Sequence, residues 1–72
     1  MDEVELINVV TATVTQVTHR RVAYVRPTSE FTADVGVDGG ASHQEKIEIA
    51  ALLPLQVVIE ICDPSDEAHV HP

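Results

Sequence analysis

No apolar run in this chain extends beyond a few residues; its aliphatic side chains alternate with threonines, carboxylates and amides. Alternation at period two is what a half-buried strand needs, because successive side chains point to opposite faces. Valine, isoleucine and threonine supply most of it, and their branched side chains suit a pleated surface. A chain so patterned is expected to fold mainly as short strands.

Val4, Leu6, Val10, Ala12 and Val14 share one parity, and Thr11, Thr13 and Thr15 the other. This reads as a strand with an apolar and a hydroxyl face. Asn8 interrupts the pattern, which suggests a bulge or two short strands, since Glu3 to Val17 is too long for one straight strand here. Thr18-His19-Arg20 reads as a tight connection into Arg21–Arg26, a strand that Pro27 ends because it lacks an N–H. Phe31, Ala33, Val35 and Val37 form one face of the next strand, and Asp38-Gly39 marks a turn. Leu55, Val57, Ile59 and Ile61 form one face of the last, which Asp63-Pro64 breaks.

Ser42 to Pro54 carries opposed signals. Ser42-x-x-Glu45 has capping-box spacing and Pro54 is a stop, as for a helix. Yet Glu45 to Ile49 alternates, and on a helical wheel the apolar residues scatter rather than form a stripe. The expected element is a strand from Glu45 to about Ala50, paired through Ile47-Glu48-Ile49 with Ile59-Glu60-Ile61. The fold class is then all-β, a small barrel or sandwich of five or six short strands. The alternative is an α+β chain, βββαβ, with a helix at about 43–53. Residues 1–62 read as one small domain, and 63–72 as an acidic flexible tail.

At 72 residues such a domain has little area to bury. Cys62 is the only cysteine, so no internal disulfide is possible and a reducing compartment is indicated. Self-association is the expected further source of stability. Val9, Val17, Val25 and Val58 support it, lying opposite the stronger apolar face of their expected strands. The acidic N-terminus lacks the basic start of a secretory signal, and no apolar run approaches the roughly 20 residues of a membrane span. A cytoplasmic setting, host or viral, is expected. Twelve carboxylates against four lysines and arginines give a net charge of −8, which repels phosphate backbones and anionic membranes.

The chemical motifs are weak. From Asp34, oxygen ligands fall at loop positions 1, 5, 9 and 12 (Asp34, Asp38, Ser42, Glu45) with Gly39 at position 6, as in a calcium loop. Position 3 is Gly36, which has no side-chain oxygen, and helices are not expected to flank the loop. No metal site is assigned. His69 and His71 could offer two imidazoles, too few for a metal centre. Cys62 with His19 or His43 would make a nucleophile pair only if the fold joined them. Nucleophile elbow, zinc-helix and phosphate-loop motifs are all missing, so catalysis and cofactors are not expected.

The basic cluster is more suggestive. His19, Arg20, Tyr24 and Arg26 form a candidate binding surface, with Arg20, Tyr24 and Arg26 of one parity. Cross-strand ion pairing is its structural explanation. The chain is therefore expected to be a non-enzymatic, self-associating protein-interaction module: an accessory subunit, adaptor or inhibitor. One alternative is an acidic mimic of nucleic acid that blocks a basic protein site. The other is an OB-like nucleic-acid binder using the 19–26 strand.

Overall fold

The structure, a computed structural model, describes residues 1–65. It is an α+β fold with the order α1 (Glu3–Thr18), β1 (Val22–Pro27), β2 (Thr32–Val37), α2 (His43–Leu52) and β3 (Val58–Cys62). The sheet runs β1-β2-β3, with β1 antiparallel and β3 parallel to the central β2. Ala33, Val35 and Val37 of β2 are buried with Leu6, Val10 and Val14 of α1 and with Ile49 and Leu53 at α2. The helices thus form one layer and the sheet the other. The opposite face of the sheet has no second layer among the described residues.

The all-β barrel or sandwich is overturned, and the largest error lies at 3–17. Leu6, Val10, Val14 and Thr18 are the buried residues of α1, spaced by four. A row of period four also has even parity, so an i, i+4 helix stripe imitates one face of a strand. Flanking residues separate the two readings. Val9 and Val17 lie beside the stripe against the core, whereas Val4, of the same parity as Leu6, is exposed. Local chemistry supports the helix despite its β-branched content. Asp2 caps the N-terminus, accepting from the Glu5 N–H at 2.9 Å, and Glu3 and Glu5 meet the positive end of the helix dipole. His19 closes the C-terminus in the left-handed region (φ 55°), donating its N–H to the Thr15 carbonyl.

The expected strand at 45–50 is likewise a helix. Both halves of the capping box form: the Glu45 N–H donates to Ser42 Oγ (3.1 Å) and the Ser42 N–H to Glu45 Oε1 (2.9 Å). Topology demands this element as well, because a parallel β2–β3 pair needs a crossover of about a dozen residues. Ile47–Ile49 therefore pairs with no strand. The βββαβ alternative placed this helix but missed α1. The strands at 22–27, 32–37 and 58–62 occur close to their expected places, the last shorter at its start. The acidic tail falls largely on residues 66–72, outside the described residues, as do His69 and His71.

The two assignments of the first segment differ in what a truncation does. Leu6→Ala opens a cavity under α1 and is expected to cost about 2–5 kcal/mol. Val4→Ala, on the exposed side, should stay within about 0.5 kcal/mol. Urea denaturation of both variants checks this; a strand would make the two losses comparable.

Candidate functional site

The basic cluster divides over two places. β1 begins only at Val22, so Arg20 precedes the strand rather than sharing its face. Its guanidinium Nη1 donates to Glu45 Oε1 at 2.8 Å and to the Gly40 carbonyl at 3.3 Å. Arg20 thereby ties the end of the α1–β1 connection to the first turn of α2. His19 is the cap of α1, and Arg21 pairs with Asp38 at 3.4 Å.

Tyr24 and Arg26 lie elsewhere, on the uncovered face of the sheet. Val22 pairs with Val37 but Tyr24 with Gly36, so Ala23 is an extra residue that shifts the register. This bulge turns Val22 and Val25 to the core and Tyr24 to the open side. The Tyr24 ring lies on Gly36, where a β-carbon would collide with it. Its hydroxyl reaches across β2 to β3, 3.1 Å from Cys62 Sγ, and the Arg26 guanidinium carbon sits 4.9 Å from its centroid. One aromatic side chain thus spans all three strands. Asp34 and Glu60 complete a hollow of about 220 Å³ beside it. With Tyr24 engaged by Gly36, Cys62 and Arg26, the ring is held by its own chain.

The residues of the calcium-like pattern are drawn apart by the elements they serve. Asp34 is on the open face of β2, Asp38 faces Arg21, and Ser42 and Glu45 form the capping box. Among the described residues no group of three or more His, Cys, Asp or Glu side chains could hold a metal ion. Cys62 neighbours Tyr24, while His19 caps α1 and His43 begins α2. No helix among the described residues is long and apolar enough to cross a membrane.

A third surface was not singled out by sequence reasoning. α2 lacks a continuous apolar stripe, so its helical fold leaves Ile47 and Leu52 exposed. Leu55 in the following loop is 101% exposed and Val58 on β3 60%. Beside them Ile49, Ala50, Leu53, Val57, Val58, Ile59 and Ile61 line a groove of about 200 Å³, with Lys46 its one charged lining residue. A legible signal did exist: Ile49 to Ile59 contains no charge in a strongly acidic chain. The valine argument for self-association narrows in turn. Val9, Val17 and Val25 pack against the chain's own core, and only Val58 stays outside.

Comparison of the chain with family models, curated proteins and solved structures finds no match.

The Arg20–Glu45 contact gives a pH signature. Hydrogen bonds from the Ser42 backbone and from Arg20 hold the Glu45 carboxyl below its ordinary value of 4.5. A carboxyl depressed in the folded state stabilises fully above its unfolded pKa and loses that contribution as pH falls through the folded one. Stability of the wild type is therefore expected to drop on acidification below about pH 4.5 more steeply than that of Glu45→Gln, as measured by thermal melts across that window.

Proposed function

We propose that this chain is a small non-enzymatic interaction module, an accessory subunit, adaptor or inhibitor, that works in self-associated form. The observation that carries the reading is the α2–β3 side. Ile47 and Leu52 of α2, Leu55 of the following loop and Val58 of β3 are exposed, and these same elements enclose an apolar groove. Exposed apolar residues that accompany an apolar groove are a feature of interaction sites.

The charge distribution supports the same side. At a net charge of −8, two copies repel one another unless they meet where carboxylates are few. The uncharged run from Ile49 to Ile59 supplies such a place. Burial there also adds apolar area to a domain of 72 residues, whose own core is small. An exposed free thiol at Cys62 fits a reducing, cytoplasmic setting.

Leu52→Asp with Leu55→Asp tests the reading. Both side chains are exposed, so the double variant should keep the fold, with surface substitutions changing stability by about 0.5 kcal/mol each. Sedimentation at micromolar concentration is expected to show an oligomer for the wild type and a folded monomer for the variant. A wild type that remains monomeric throughout would remove the proposal.

A further inference from the structure

The geometry points to a second copy of this chain as the occupant of the β3 edge, paired antiparallel to it about a two-fold axis through Ile59. This rests on the self-association proposed above and specifies its surface and register.

The sheet has two outer edges, and they differ. β1 carries a bulge at Ala23, a proline at its end, and arginines just before it at 21 and within it at 26. Bulges, prolines and charges are the devices that keep an edge from pairing. β3 reads Val58-Ile59-Glu60-Ile61-Cys62, with no proline, glycine or bulge. Its Val58 N–H points inward and donates to the Phe31 carbonyl at 2.9 Å. Backbone groups of successive strand residues alternate sides, so the N–H and C=O of Ile59 and Ile61 point outward. Among the described residues no strand meets them. An edge in this state is a template for another strand.

Closure and charge select a second copy. Head-to-tail pairing of β3 with β1 of a neighbour would build rings or open filaments, and the features of β1 oppose it. Pairing β3 with itself closes after two subunits. Charge then chooses the register. With Ile59 on the axis, each Val58 lies opposite Glu60 of the other copy. Moving the axis to Glu60 would set the two carboxylates directly opposite, which is destabilising. On the helix side, half-buried Ile59 would face Ile59 of the copy, and half-buried Ile61 would face Val57 of the copy.

The register makes the sign of a charge at position 58 decisive. Sedimentation equilibrium at low salt compares wild type, Val58→Lys and Val58→Glu. Gln16→Lys and Gln16→Glu, on the exposed side of α1, serve as charge-matched controls. Each dimer contains the 58–60 pair twice, so Val58→Lys is expected to tighten the dimer about fivefold and Val58→Glu to weaken it about fivefold, relative to those controls. If the position-58 variants only follow the controls while the wild type still dimerises, the β3 joint is wrong and self-association stands. A wild type that is monomeric removes both. Assemblies that keep growing with concentration overturn the closed two-fold arrangement.

Discussion

The whole arrangement depends on one cluster, in which the Leu6-Val10-Val14 row of α1 is buried together with Ala33, Val35 and Val37 of β2. β2 is the central strand, so its helix-facing side chains are the only ones in the sheet with a neighbouring strand on both sides. Aliphatic residues four apart on the helix share this core with aliphatic residues two apart on the strand, and both rows are buried. The remaining elements are arranged around this pair. β1 reaches it through a bulge that returns Val22 and Val25 to the core side, and α2 contributes chiefly Ile49 and Leu53.

How much of this was legible depends on which signals are degenerate. Thr32–Val37 and Val58–Cys62 were readable because their alternation is one that no helical spacing imitates, and Val22–Pro27 because Pro27 closes it, its own alternation being broken at Ala23. α1 was not, because its buried positions 6, 10, 14 and 18 satisfy even parity and helical spacing together. Val and Thr then weighted the choice toward a strand, and tertiary packing overrode that propensity. Asp2, directly before Glu3 and capping the Glu5 N–H three residues on, is the helix signal that the alternation masks.

At α2 the opposite principle prevailed. The absence of an apolar stripe was read correctly from the residues, but it does not forbid a helix. A complete capping box, the Arg20 contact and the need for a crossover outweigh it. The consequence of building a helix from such a sequence is that isoleucine and leucine side chains remain outside. The candidate surface is thus a by-product of the same mismatch that hid the element. The basic cluster was legible as a group of residues but not as a surface, since the late start of β1 and the bulge at Ala23 send Arg20 and Tyr24 to different layers.

The parallel pairing of β2 with β3 also orders events in time. α1, β1 and β2 are adjacent in sequence, and their mutual contacts close over short loops. β3 can join only after α2 has carried the chain back across the sheet, so it meets the cost of the longest closure. Until then β2 exposes one edge, and the rows of Ala33 and Val35 lack their neighbours Ile59 and Ile61. The Tyr24 ring, laid over Gly36 toward the vacant position, gives the incoming Cys62 a partner on arrival.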